Sequence, residues 1–144
     1  MVVGDFVEEV DVLVIGSGPG GYVAAIRAAQ MGKSVTIVDK AEIGGVCLNR
    51  GCIPSKALIS AAEKYQEMGS NADLGITADN IQVDFSKIQQ WKDGIVSKLT
   101  GGVNALLKGN KVNILKGEAY FVEPNVVSIS NDEEGKRLKF NDCI

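Results

Sequence analysis

Histidine is absent from the 144 residues, cysteine and proline occur three times each, and tryptophan occurs once. With no imidazole and only three thiols, the chain cannot assemble the four Cys or His ligands that a structural zinc site takes. Basic residues are not in excess: fifteen Lys and Arg face eighteen Asp and Glu, for a net charge of −3. They are also spread along the chain, so there is no electrostatic footprint for nucleic acid. No run of eighteen apolar residues occurs, which excludes a membrane-spanning helix. The start carries Asp5, Glu8, Glu9 and Asp11 without a basic head and apolar run, so no secretory signal is expected and the expected location is cytoplasmic. Repeats, low-complexity tracts and linkers are missing too, and the length suits one domain over 1–144.

Against these absences stands one dense stretch, Gly44 to Lys56, which reads GGVCLNRGCIPSK and sets Cys47 and Cys52 five residues apart. A dithiol that closes to a disulfide releases two electrons, so such a pair beside a redox cofactor can exchange electrons with it. An undistorted helix would hold the two α-carbons roughly 8 to 9 Å apart, whereas a disulfide needs less than about 7 Å. Gly51 is the residue that permits the required departure from the helix. The expectation is a distorted helix start, with Cys47 in the exposed first turn and Cys52 deeper, and with free amides favouring a thiolate. The alternative is two buried structural thiols. Lys56 lies four residues after Cys52, on the same helical face, and its ammonium can support an anion there; the plainer alternative is a solvated lysine.

The stretch follows a nucleotide-binding pattern. Val12 to Ile15 is an apolar run suited to a strand covered on both faces. Gly16-Ser17-Gly18-Pro19-Gly20-Gly21 follows at once with G-x-G-x-x-G spacing, then an alanine-rich helix from Tyr22 to Met31 stopped at Gly32, then a strand from Ser34 to Asp39. Gly16 allows the tight turn, Gly18 lets backbone approach a pyrophosphate, and Gly21 lets the helix pack close to the strand. Pro19 suits a first helical position, and the helix start offers amides to phosphate. Asp39, at the end of the second strand, can accept hydrogen bonds from a ribose diol. Ligands of parallel sheets bind beyond the strands' carboxyl ends, so the loop from Lys40 to Val46, leaving from that edge, is expected to bring Cys47 to the same rim.

Farther on, Ala57, Leu58, Ala61 and Ala62 continue a helix, interrupted early by Pro54, to about Met68. Gly69 to Asn80 is a polar loop. Ser86 to Lys108 is a second long helix with Ile88, Trp91, Ile95, Leu99, Val103 and Leu106 on one stripe, capped by Ser86, bent at Gly101-Gly102 and ended by Gly109. Trp91 is expected in the core or in helix packing rather than in a cofactor stack. Val112 to Leu115 suits a further sheet strand. Ala119 to Val122, Val126 to Ser130 and Arg137 to Ile144 form a small antiparallel meander turning at Pro124-Asn125 and Asn131 to Gly135, with Cys143 an ordinary buried thiol.

The segments DVLVIGSGPGGYVAAIRAAQMGKSVTIVD, GGVCLNRGCIPSKALI and LTGGVNALLKGNKVNILKGEAYF resemble the flavin-dependent pyridine nucleotide-disulfide oxidoreductases, and within them the dihydrolipoamide dehydrogenases. The resemblance implies an α/β, Rossmann-like FAD-binding domain with a parallel sheet, flanking helices and a small antiparallel meander. It implies FAD as the cofactor of this portion, held by Gly16, Gly18, Pro19, Gly20, Gly21, Asp39, Lys40, Gly44, Gly45, Val46, Cys47, Lys56, Gly117 and Ala119. Cys47 is then the sulfur attacked by dihydrolipoyl groups of the E2 component of 2-oxoacid dehydrogenase complexes, and Cys52 the sulfur against the flavin. NAD+ is the final acceptor, in a domain missing from this portion along with the dimerisation domain of a homodimer and its histidine base. Asp39 stands where this family usually has Glu, which implies a looser or water-mediated ribose contact. The chain ends just before the family's ATG segment, so it is expected to be inactive alone. A non-catalytic dinucleotide- or partner-binding protein, and a reductase of some other disulfide, remain the alternatives.

Overall fold

The computed structural model describes residues 7–130 and 135–144, and the chain divides into two compact units, Met1–Gly45 with Gly101–Ile144, and Val46–Thr100.

The first unit is built on one six-stranded sheet. Strand β1 (Val7–Ile15) lies at its centre, flanked by β2 (Val35–Asp39) and β6 (Lys136–Cys143), and the full order is β3-β2-β1-β6-β5-β4. β1 runs parallel to β2 in register Val12 with Val35, parallel to β6 in register Val10 with Phe140, and β2 runs parallel to β3 (Asn113–Lys116). Strands β4 (Glu118–Glu123) and β5 (Val126–Ser130) continue from β6 with antiparallel pairing. The meander read from the sequence is therefore no separate sheet: β6 is at once its last strand and a parallel neighbour of β1. The turn expected over Asn131 to Gly135 falls on residues outside those described, apart from Gly135.

The apolar runs account for the core. Val12, Leu13 and Val14 are at most 6% exposed, as a strand with neighbours on both edges and both faces requires. Leu13, Val38, Val127, Ile129, Leu138 and Phe140 join in one cluster, with Phe121 meeting Phe140 edge to face. Helix α1 (Pro19–Gln30) connects β1 to β2 and buries Ala25; Pro19 occupies its first turn, where a missing N–H costs nothing. Gly32, at φ 83°, follows its last turn, as expected of a helix stop.

The second unit is helical: α2 (Gly45–Asn49, begun in the first unit), α3 (Cys52–Ser70), a 3-10 turn (Ala72–Leu74) and the first part of α4 (Phe85–Gly109). Pro54 does not interrupt α3. It falls in the helix's first turn, where no intrahelical donor is lost. The start of α4 differs from expectation as well: Asp84, not Ser86, caps it, its Oδ1 accepting from Lys87 N–H at 3.2 Å and from the Ser86 hydroxyl at 2.7 Å. α4 runs through Gly101-Gly102 and includes Gly109.

Candidate functional site

In the first unit the glycine turn between β1 and α1 is tied down on every side. Gly16 N–H donates to Val38 C=O at 2.7 Å, and Ser17 C=O accepts from Gly44 N–H at 3.0 Å. Gly21 packs so close to the turn that a Cβ there would lie 1.8 Å from the Gly16 carbonyl oxygen, which is the helix–strand approach its spacing predicts. A Cβ on Gly45 would sit 2.8 Å from Gly18 Cα, so the loop after β2 is pressed against the turn backbone to backbone.

Asp39 ends β2 and is held by three donors. Its Oδ2 accepts from both the Ser17 N–H and the Ser17 hydroxyl at 2.6 Å, and its Oδ1 accepts from Ala41 N–H at 2.8 Å. Burial pushes the carboxyl up, but the hydrogen bonds from Ser17 and Ala41, with the charge of Lys40, outweigh it and hold the group below the usual carboxylate range.

A hollow of about 270 Å³ opens beside this turn, lined by Ile15, Gly16, Asp39, Lys40, Gly117 and Ala119 among others. Five residues predicted from sequence thus meet in one place, although Gly117 and Ala119 lie more than seventy positions from Asp39. Gly117 N–H donates to the Asp39 carbonyl at 3.0 Å, which fixes the floor. Glu118 also lines it, receiving a hydrogen bond from Tyr120 and pairing with Lys40 at 3.2 Å. Ser17 and Glu118 were not singled out from the sequence. The signal for Ser17 was a hydroxyl between two glycines of the turn, with an acid at the end of the next strand; Glu118 had no signal, since its place is set by β4 pairing with β5.

In the second unit Cys47 lies within the five-residue α2 and Cys52 opens α3. The break between them is at Gly51, whose φ of −122° and ψ of −107° fit neither helix nor strand. That distortion matches expectation, and it brings the two side chains into hydrogen-bonding contact as free thiols. Their exposure is the reverse of what was expected: Cys47 is half-buried, and Cys52, the first residue of α3, is exposed. The Cys47 thiol is not poised as a thiolate either. Its hydrogen bond to the Cys52 side chain raises its pKa, burial adds to the rise, and the opposing Cys52 N–H and Lys56 charge do not cancel it. The neighbouring sulfur outweighs the few amides of so short a helix. Lys56 is exposed, and its charge reaches Cys47. Val46 is 69% exposed.

One further expectation fails outright and another in part. Cys143, at the end of β6, is exposed, as are Asn141 and Asp142 before it. Trp91 is 47% exposed, so it is not in the core; it lies on α4 beside Ile88 and lines an apolar groove of about 520 Å³ with Tyr65 and Met68 of α3 and Val83. Among the described residues no group of three or more His, Cys, Asp or Glu is placed to hold a metal ion, and no helix is long and apolar enough to cross a membrane.

The family of pyridine nucleotide-disulphide oxidoreductases matches residues 10–144. This chain belongs to that family. Over all 144 residues it is 60% identical to a dihydrolipoyl dehydrogenase of Bacillus subtilis strain 168 and 58% identical to one of Geobacillus stearothermophilus. In both cases it spans 31% of the relative's length. Among solved structures, the Cu(II) complex of the HOCl-induced flavoprotein disulfide reductase RclA from Escherichia coli superposes with a TM-score of 0.79. That match has 22% identity, 94% of this chain and 28% of the other being covered, and it speaks for the fold. The mixed α/β sheet with flanking helices is therefore a fold shared with that flavoprotein disulfide reductase.

Proposed function

We propose that this sequence is the FAD-binding portion of a dihydrolipoyl dehydrogenase, in which Cys47 and Cys52 take two electrons from dihydrolipoyl groups and NAD+ receives them last. The observation that carries the reading is the contact of the two thiols across the Gly51 break, made by a chain that reaches Cys47 two residues after the Gly45 that packs on the glycine turn.

The residues fit the cofactor. The turn has no side chain where Gly21 and Gly45 meet it, α1 begins with Pro19 and leaves its amides free for phosphate, and Asp39 with the backbone of Gly117 and Ala119 lines a hollow beside them. FAD, when bound, supplies a two-electron acceptor that passes hydride to NAD+.

The chain's own part is thiol exchange. With the pair oxidised, a lipoyl thiolate attacks Cys47 Sγ, and the Cys47–Cys52 bond breaks with Cys52 leaving as thiolate. The second lipoyl thiol then attacks its own sulfur in the mixed disulfide and releases Cys47. One dithiol has been oxidised and one disulfide reduced, with the electron pair on Cys52. Cys47, whose pKa is raised by Cys52, holds a proton between them. Lys56 contributes positive charge to the pair. The protein is proposed to work in the cytoplasm as a homodimer, on lipoyl groups carried by the E2 component of a 2-oxoacid dehydrogenase complex.

Dihydrolipoamide-dependent reduction of NAD+ by the full natural protein is the test. Cys47→Ser is expected to lower it at least about a thousandfold, because serine cannot form the disulfide that the lipoyl thiolate attacks. Retention of most activity in that variant, or activity on another disulfide in its place, contradicts the proposal.

A further inference from the structure

We infer that Ser17 is a positioning residue of the dinucleotide site, fixing the direction in which Asp39 presents its carboxylate to the adenosine ribose. The inference rests on the dinucleotide-binding reading above and assigns a role to a residue outside the set predicted from sequence.

Ser17 is wholly buried, with 0% exposure, and all three of its polar groups are hydrogen-bonded across the turn. Its N–H and its hydroxyl both reach Asp39 Oδ2 at 2.6 Å, while its carbonyl accepts from Gly44 N–H at 3.0 Å. One residue thus links the glycine turn, the end of β2 and the loop that carries Gly44 and Gly45. A carboxylate offers roughly four lone-pair sites; two on Oδ2 go to Ser17, and one on Oδ1 goes to Ala41 N–H at 2.8 Å. The remaining acceptor is on Oδ1, on a residue that lines the 270 Å³ hollow. A carboxylate held through both oxygens cannot swing about its Cα–Cβ bond without breaking short, charge-assisted bonds. The ribose therefore meets an acceptor whose direction is set before binding by three bonds, two of them from Ser17, of which the hydroxyl bond is the one a substitution removes. Lys40 and Glu118, the charged groups lining the same hollow, are paired with each other at 3.2 Å.

The test is a double-mutant cycle on the apoprotein of the full natural chain, with ADP and FAD as the probes. Ser17→Ala should weaken ADP binding about tenfold, the size of one hydrogen bond to a charged group. Asp39→Ala should weaken it at least as much, and adding Ser17→Ala to Asp39→Ala should cost nothing further. Ser17→Cys, nearly the same size but a weak donor, should follow Ser17→Ala and serves if the alanine variant does not fold. A purely packing role for Ser17 gives losses that add in the double variant, and that result, or no loss from Ser17→Ala and Ser17→Cys, overturns the inference alone. Failure of the unsubstituted protein to bind ADP or FAD overturns the dinucleotide reading, and the inference with it.

Discussion

Adding one methyl group at Gly21 is expected to break the nucleotide site, because the atoms in its way are backbone. The added Cβ would lie 1.8 Å from the Gly16 oxygen and 2.9 Å from the Gly16 carbonyl carbon, neither of which can yield without moving β1 or α1. Gly21→Ala should cost about 3 kcal/mol or more, the upper range of overpacking. Gly20→Ala, with nothing within 4 Å of the new carbon, should leave thermal unfolding nearly unchanged. Scanning calorimetry of the two variants separates them, and equal melting temperatures would contradict this account of the turn. Asp39 makes a prediction of the opposite kind, in pH. Its folded pKa lies below its unfolded value, so the unfolded chain binds more protons in the acid range and stability rises with pH there. The contribution is complete above the unfolded pKa of about 3.9 and is lost as pH falls through the lower, folded value. Below about pH 4 the melting temperature of Asp39→Asn should therefore fall less steeply than that of the unsubstituted chain.

Helix α4 shows what periodicity can and cannot decide. The stripe of Ile88, Trp91, Ile95, Leu99, Val103 and Leu106 identifies the helix, but the residues buried in it are Val103 and Leu107, four apart, while Leu99 and Leu106 are 41% and 56% exposed. An apolar residue every three or four positions fits two neighbouring faces equally well, and only the tertiary packing decides which face is covered. Leu107→Ala, at a site with 0% exposure, should cost about 2 to 5 kcal/mol. Leu106→Ala beside it should stay within about 0.5 kcal/mol. Chemical denaturation with an unchanged slope checks both values. The same limit applies to the cysteines. The Gly51 break was legible, since a disulfide-forming pair five apart demands a departure from the helix, and Gly51 stood where it was needed. Which sulfur is covered was not legible, since that depends on where α3 begins and what lies over its first turn. Likewise the glycine turn, α1 and Asp39 were readable from local spacing, whereas the merging of the meander into the parallel sheet comes from β6 pairing with β1 across some 130 residues.

Across the whole molecule, the absence of histidine leaves no side chain with an ordinary pKa between about 5 and 8. Stability is accordingly expected to be flat from about pH 5 to 8, with an acid limb set by Asp39 and by the hydrogen-bonded carboxyls of Asp11, Asp84 and Glu118, all held below their usual range. A titrating step near pH 6.5 in the melting temperature would contradict that. Because the chain spans 31% of the relatives it matches, turnover is a property to be sought in the full natural protein. Under the proposed function, Cys52 would deliver its electron pair to a flavin held by the glycine turn. The most direct measurement is the absorbance spectrum of that protein, purified with its flavin and reduced by two electrons. A long-wavelength band arising from a thiolate against the flavin is predicted in the unsubstituted protein and in Cys47→Ser, and its absence is predicted in Cys52→Ser; the same band persisting in Cys52→Ser would contradict the claim.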